Sequence, residues 1–168
     1  MLIIKIFKCI NKNIMLNIVL FEPEIPNNTG NIIRLSANIG ASLHLIKPYG
    51  FEMDDKKLRR AGLDYKELSR VYEYENLNDY LSIAKPKRLF TVSSKVTTLY
   101  SDIKYEAEDS FIFGPETRGL PLNIINQYQS ITIPMQKGSR SLNLANSVSV
   151  VIYEAWRQIE FMGAKNLE

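Results

Sequence analysis

Short apolar runs with the character of β-strands alternate with helical stretches along most of this chain. The strand-like runs are 16–21, 43–46, 71–74, 88–93, 111–113 and 131–133, and the helical stretches are 32–39, a charged one from about 54, 77–84, a short one opened by Pro121, and 145–159. Strands that alternate with helices pair in parallel, and the helices cover the sheet. The order therefore predicts an α/β fold with a mostly parallel sheet, helices on both faces, and ligand sites at the carboxyl ends of the strands.

The composition narrows the class of protein. With 168 residues, 45% of them hydrophobic and 23% charged, the chain fits a single globular domain. One cysteine and one histidine exclude a disulfide framework and disfavour zinc, so no metal is expected. A net charge of +3 is compatible with a polyanionic partner but does not require one.

The first residues carry no membrane or export signal. Residues 1–14 mix apolar side chains with three lysines, whereas a membrane span needs about 20 uninterrupted apolar residues. No small-residue cleavage site follows, so we expect a cytoplasmic protein with no membrane association. Met15 directly precedes the first strand run. Residues 1–14 are thus an N-terminal extension, either an alternative start or cloning product or functional sequence, and 15–168 form the single domain.

The segment 131–156 has the strand, loop and helix order that builds ligand sites. Small and hydroxylated residues at 138–141 permit a close approach to the backbone, and Ser141 is a plausible helix N-cap. Apolar residues then recur at helical spacing from Ala145 to Ile159. We expect this loop to bind a ligand while the helix anchors it.

Three segments collect the unusual polar residues, and each follows a predicted strand: 27–34, 114–121 and 135–146. The chain contains no Walker phosphate loop, no GxGxxG after a strand, no nucleophile elbow and no Cys/His pair. Nucleotide hydrolysis and triad hydrolysis are therefore disfavoured. A substrate that brings its own reactivity fits better, such as the electrophilic methyl group of S-adenosylmethionine, for which the protein mainly positions the acceptor.

The segment 111–121 places a glycine where a flat ring or a ribose could lie against the backbone. Gly114 is that glycine, and Glu116 and Arg118 are polar groups that could orient a ligand. The alternative is an ordinary strand-to-helix turn with an exposed salt pair.

These segments resemble a known family. Residues 27–34, 113–121 and 139–146 are similar, in order and spacing, to the three motifs of the SPOUT-class (SpoU-type) 2′-O-ribose RNA methyltransferases. Residues 51–65 and 153–158 resemble a short bacterial subfamily that methylates the wobble ribose of certain tRNAs. The likeness extends from residue 15 to about residue 163.

The resemblance implies a deep C-terminal trefoil knot, an exception to the general absence of knots, together with a homodimer and S-adenosylmethionine as cofactor. The family's cofactor contacts correspond to Val92, Gly114, Glu116, Ile133, Met135, Ser141 and Leu142. These positions are rich in glycine and aliphatic residues, which suits binding through backbone and shape.

The resemblance also implies catalytic residues. Arg34 matches the arginine thought to activate the ribose hydroxyl, although a guanidinium is a poor base and better suited to stabilising negative charge. Without the family match, a surface arginine one turn into a helix is the ordinary interpretation. Asn143 and Tyr153 also match positions near the site; for Tyr153, a structural tyrosine on a helix is the alternative.

A run of positively charged residues favours RNA as a binding partner. The candidate phosphate contacts are Lys56, Lys57, Arg59 and Arg60, with Arg118 and Arg140 extending the surface. A solvated helix face is the usual meaning of such a run.

We therefore expect methyl transfer to the wobble ribose, on cytidine or modified uridine, in the anticodon loop of leucine tRNAs. Two alternatives stay open: a related methyltransferase acting on another RNA such as ribosomal RNA, and a knotted RNA-binding protein without activity.

Overall fold

The structure is a computed structural model that describes residues 16–52 and 70–165. In this part of the chain six strands form one sheet: β1 Asn17–Phe21, β2 Ser42–Ile46, β3 Val71–Tyr74, β4 Leu89–Val92, β5 Ser110–Phe113 and β6 Gln129–Ile131. Their order is β3-β2-β1-β5-β4-β6, and every neighbouring pair is parallel. The predicted parallel α/β fold is confirmed.

The described residues also include four helices and a short 3-10 turn at Tyr100–Asp102. The helices are α1 Pro26–Ile39, α2 Leu77–Ala84, α3 Leu122–Gln127 and α4 Leu144–Gln158. Residues 1–14 and the basic run at 56–60 lie outside the described residues.

Apolar side chains cover both faces of the sheet, because successive residues of a strand point to opposite sides. In β1, Ile18 and Leu20 join a core that includes α1 and α4, whereas Val19 joins a second core with residues of α2 and α3. The same division separates Phe111 from Ile112 in β5. Helices therefore lie on both faces, as predicted.

Helix α1 begins earlier than the sequence suggests, so residues 27–31 belong to a helix and not to a loop. Pro26 occupies the first turn, where its fixed backbone angle is tolerated. Gly40 ends the helix in a left-handed conformation with φ of 74°, which glycine adopts without steric cost.

Helix α4 begins after Asn143, so the expectation that Ser141 is the N-cap is wrong. The Asn143 side-chain oxygen accepts hydrogen bonds from the amides of Ala145 and Asn146, at 2.9 and 3.3 Å. An asparagine at this position satisfies amides that lack a partner within the helix. Ser141 stays in the preceding loop.

Candidate functional site

The order of the strands creates a crevice at one edge of the sheet. Successive strands run outward from β1 to β2 and β3 on one side, while β5, β4 and β6 lie on the other. Ligands of such sheets bind outside the carboxyl ends of the strands, near the point where the order reverses. The described residues form a cavity of about 370 Å³ there, a size typical of small-molecule sites, which span about 300–1,000 Å³.

All seven residues predicted to contact a cofactor line this cavity. They come from the ends of β4 and β5, from the segment after β6, and from the loop before α4: Val92, Gly114, Glu116, Ile133, Met135, Ser141 and Leu142. Residues far apart in the chain are thus brought to one place by the parallel sheet. Apolar walls are added by Phe113, Leu120 and Leu144.

Gly114 is required by the protein's own backbone. A Cβ atom built on Gly114 would lie 2.3 Å from the amide nitrogen of Leu120 and 2.5 Å from the carbonyl carbon of Gly119. The sequence suggested room for a flat ring beside Gly114. In the direction of that Cβ, the backbone of Gly119 and Leu120 occupies this space. Gly119 itself has φ of 66°, a conformation that favours glycine.

A line of hydrogen bonds joins the three motif segments. The side-chain amide of Asn143 donates to the Asn28 oxygen at 3.0 Å, and the Asn28 amide donates to Glu116 at 2.9 Å. Glu116 also accepts from the backbone amides of Glu24 and Ile25, at 2.8 and 3.2 Å. We call Asn143, Asn28 and Glu116 the asparagine relay.

The relay explains how α1 is capped. Its N-cap residue, Ile25, has no side-chain acceptor, yet amides at a helix start need one. Glu116 supplies that acceptor from a loop 91 residues away. Asn28, which is 6% exposed, was not among the predicted site residues, because its partners lie in distant segments.

A second set of contacts fastens the loop after β1 to the loop after β5. The Glu24 carboxylate accepts hydrogen bonds from the backbone amide and the hydroxyl of Thr117, both at 2.9 Å. These hydrogen bonds lower the pKa of Glu24 below its ordinary value. Arg118 pairs with Glu22 and lies 3.7 Å from Glu24. Its guanidinium, predicted to contact RNA, thus contacts two carboxylates of its own chain.

The predicted catalytic residues do not all lie in the cavity. Asn143 lines it, whereas Arg34 is an exposed residue of α1 and Tyr153 an exposed residue of α4, both outside its lining. Tyr153 contacts Trp156 edge to face, with ring centroids 5.6 Å apart. Arg140 is exposed in the loop before α4.

Two further observations concern metal binding and membrane crossing by the described residues. They contain no cluster of three His, Cys, Asp or Glu side chains that could hold a metal ion. None of their helices has the length and apolar character that crossing a membrane requires.

Comparison with known proteins shows which proteins this chain resembles. A sequence model of the SpoU rRNA Methylase family matches residues 15–153. A tRNA (cytidine(34)-2′-O)-methyltransferase of Yersinia pestis is 56% identical over 158 residues, spanning 89% of this chain and 98% of that protein.

Several solved structures have a fold similar to that of this chain. A candidate RNA methyltransferase from Bacillus anthracis is 39% identical with a TM-score of 0.84, covering 91% of this chain and 99% of that one. A structure described as giving insights into the 2-OH methylation of C/U34 on tRNA is also 39% identical, with a TM-score of 0.81 and coverage of 87% and 97%. The fold is shared by AviRb of Streptomyces viridochromogenes in complex with AdoMet, 23% identical with a TM-score of 0.72, covering 90% and 59%.

Proposed function

This chain belongs to the SpoU rRNA methylase family and is a methyltransferase, and we propose that it transfers a methyl group from S-adenosylmethionine to the ribose 2′-hydroxyl of the wobble nucleotide of tRNA. The observation that carries this proposal is the convergence of all three motif segments on one cavity at the carboxyl edge of the sheet. The relative from Yersinia pestis, which matches over nearly its whole length, supports tRNA and the wobble cytidine as the target.

The residues of the cavity fit S-adenosylmethionine. Four lining residues offer apolar surface to an adenine ring: Val92, Phe113, Leu120 and Ile133. Backbone groups of the glycine-containing loop at 114–119 offer hydrogen bonds. When bound, the cofactor supplies a methyl group on a positively charged sulfur, which is already electrophilic. The protein's task is then to bind both partners, orient the acceptor oxygen and stabilise the charge that develops on it.

We assign Arg34 to the acceptor side of the reaction. A guanidinium keeps its proton in proteins, so Arg34 donates hydrogen bonds and does not act as a general base. Its place on the exposed side of α1 suits contact with the RNA near the reacting ribose. Negative charge that develops on the 2′-oxygen would be stabilised there.

Asn143 and Tyr153 take different roles in this proposal. Both polar atoms of Asn143 are engaged, in the cap of α4 and in the asparagine relay, so Asn143 positions the loop that lines the cavity. Tyr153 projects from α4 at 45% exposure, which suits contact with the RNA or with a second subunit.

The larger organisation also belongs to the proposal. We propose a C-terminal trefoil knot and a homodimer in the cytoplasm, with the methyltransferase domain in residues 15–168 and residues 1–14 as an extension outside it. The family match that begins at residue 15 supports the domain boundary.

Exposed apolar residues at the cavity rim support a second subunit near the site. Three large apolar side chains there are 41–43% exposed: Ile25, Met135 and Leu142. Light scattering of the purified protein tests the dimer.

The experiment that tests the reaction uses labelled S-adenosylmethionine and unmodified leucine tRNA transcripts, with the methyl group mapped to one nucleotide and to its ribose or base. We expect label on the wobble ribose, whether cytidine or uridine. A matched transcript with a 2′-deoxy wobble nucleotide should take up no label, since it lacks the acceptor oxygen.

Ribosomal RNA is the second candidate substrate, and the description of the matching family as rRNA methylases favours testing it. Label on ribosomal RNA, with none on leucine tRNA, would replace the substrate while retaining the reaction. Absence of label on every RNA, with the cofactor bound, would contradict the assignment of a reaction.

A further inference from the structure

Three charged residues line the cavity, and two of them are already engaged. Within the described residues the charged lining consists of Lys95, Glu116 and Arg118. Glu116 accepts the hydrogen bonds of the asparagine relay and of the start of α1. Arg118 pairs with Glu22 and Glu24. Neither is available to a ligand without breaking contacts within the chain.

Lys95 differs from both. Nowhere in the described parts of the chain does its ammonium group have a hydrogen-bond acceptor or an ion-pair partner. Its backbone amide donates a hydrogen bond to the Ser93 hydroxyl, at 3.2 Å. An exposed lysine on a convex surface needs no partner, because water solvates it. A lysine on the wall of a concave site, however, raises the affinity of that site for an anion.

The backbone that carries Lys95 is held firmly. The Ser93 amide donates to the carbonyl of Ile131 at 3.0 Å, and the Thr132 amide donates to the carbonyl of Thr98 at 2.8 Å. Both ends of the loop 93–98 are thus fastened to the end of β6. Lys95 therefore lies in a short loop that is held beside the cavity at both ends.

The proposed cofactor presents one anionic group, the carboxylate of its methionine moiety. Its adenine ring matches the apolar wall, and no other cation of the described cavity lining is available for the carboxylate. We propose that Lys95 binds this carboxylate and thereby orients the methionine moiety within the cavity. This inference rests on the proposed function, because it takes S-adenosylmethionine as the ligand.

The test measures binding of three ligands by calorimetry: S-adenosylmethionine, S-adenosylhomocysteine and decarboxylated S-adenosylmethionine. Lys95→Met keeps the aliphatic stem and removes the charge. We expect it to weaken the first two ligands equally, by about tenfold, and to leave the decarboxylated ligand unchanged. Lys95→Arg should restore most of the affinity.

Lys104→Met is the matched control, because Lys104 is an exposed lysine whose carbonyl contacts Arg88 at the opposite, amino end of β4. It should change none of the three affinities. Binding of the decarboxylated ligand also reports whether Lys95→Met has folded.

Unchanged affinity of Lys95→Met for S-adenosylmethionine would overturn the inference while leaving the proposed function intact. If the same variant instead raised KM for tRNA, Lys95 would contact an RNA phosphate, and the carboxylate assignment would be rejected. If the unmodified protein bound none of the three ligands, both the inference and the proposed cofactor would fail.

Discussion

Individual side chains in this site serve two purposes at once. Asn143 caps α4 with its oxygen and donates to Asn28 with its nitrogen. Glu116 lines the cavity and also caps the start of α1. Because each polar atom is committed to a contact within the protein, these residues fix the shape of the site, and the proposed chemistry is assigned to other residues.

Arg34 is the first residue to test. We expect Arg34→Ala to lower kcat for methyl transfer by about 100-fold or more, since removing one donor that stabilises developing charge has this effect. Affinity for S-adenosylmethionine should be nearly unchanged, because Arg34 does not line the cavity. Single-turnover kinetics and calorimetry provide the two measurements.

Asn38→Ala, at another exposed position of α1, serves as the control and should retain full activity. Equal loss of activity and cofactor affinity in Arg34→Ala would instead indicate that Arg34 supports the structure of the site.

His44 gives a prediction for stability. It is 7% exposed in β2, with Nδ1 2.9 Å from the Tyr74 hydroxyl and Nε2 3.2 Å from the Asn17 oxygen. Burial lowers the pKa of His44 to about 3, whereas an unfolded chain has a histidine pKa of about 6.5. Between these values the unfolded state binds a proton that the folded state does not, so stability falls as the pH falls.

From pH 7.5 to pH 5 this linkage should remove about 2 kcal/mol from the free energy of unfolding. Urea titrations at both pH values measure the change. His44→Gln can keep two polar contacts but cannot titrate, and its stability should change less over the same range. An equal pH dependence in the variant would show that other groups are responsible.

At the scale of elements, α1 and α4 are tied together through side chains as well as through the core. The asparagine relay links the start of each helix to the loop after β5. Since all three segments meet at the cavity, displacement of the start of either helix should shift the residues that line it.

Asn28→Ala tests the relay. The variant leaves the side-chain amide of Asn143 without its acceptor and removes one of the hydrogen bonds to Glu116 in a part-buried site, which should cost about 1–3 kcal/mol of stability. Cofactor affinity should fall as well, because both residues line the cavity. Asn27→Ala, at the exposed neighbouring position, should change stability by less than about 0.5 kcal/mol. Equal effects of the two substitutions would exclude a special role of Asn28.

Two glycines of the motif segments should respond in opposite directions to alanine. Gly114→Ala would collide with the backbone at Leu120 and should destabilise the protein by about 1–3 kcal/mol. Gly30 lies within α1, and a Cβ there meets no atom within 4 Å, so Gly30→Ala should stabilise by about 0.5–1 kcal/mol. Thermal unfolding measures both. A stable Gly30→Ala protein without activity would indicate that the RNA or a second subunit approaches this position.

At the scale of the whole molecule, the sheet order places the cavity at one edge, and in the proposed function RNA binding depends on surface charge. The basic run at 56–60 lies outside the described residues, so its role stays a prediction from sequence. Arg118, in contrast, contacts Glu22 and Glu24. We therefore expect the basic run to contribute more to tRNA affinity than Arg118 does.

Charge reversal at Arg59 and Arg60 should weaken tRNA binding and flatten its dependence on salt. Each lost phosphate contact should reduce the slope of log affinity against log salt by about 0.7 for single-stranded RNA. Filter binding over a range of salt concentrations measures this slope. Lys104→Glu, next to the amino end of β4 and away from the cavity, should leave the slope nearly unchanged. A parallel shift without a change in slope would mean that these arginines do not contact phosphates.

The sequence by itself determined the elements and their class. A continuous apolar run, such as Ile18, Val19 and Leu20, predicts a strand buried on both faces, and helical spacing from Ala145 onward predicts the buried face of α4. The seven predicted cofactor contacts come from similarity to a family's motifs, and all seven residues line one cavity. Periodicity and motifs depend on near neighbours in the chain, which is why they can be read directly.

Only the tertiary structure decided how the elements are capped and joined. The start of α1 depends on Glu116, and the relay joins residues that are 88 and 115 positions apart. The exclusion of a side chain at Gly114 likewise depends on a loop that returns over it, and the pairing of Arg118 with Glu22 and Glu24 depends on the close approach of the loops after β1 and β5. Such contacts are set by strand order and loop path, because they bring together groups that no local pattern connects.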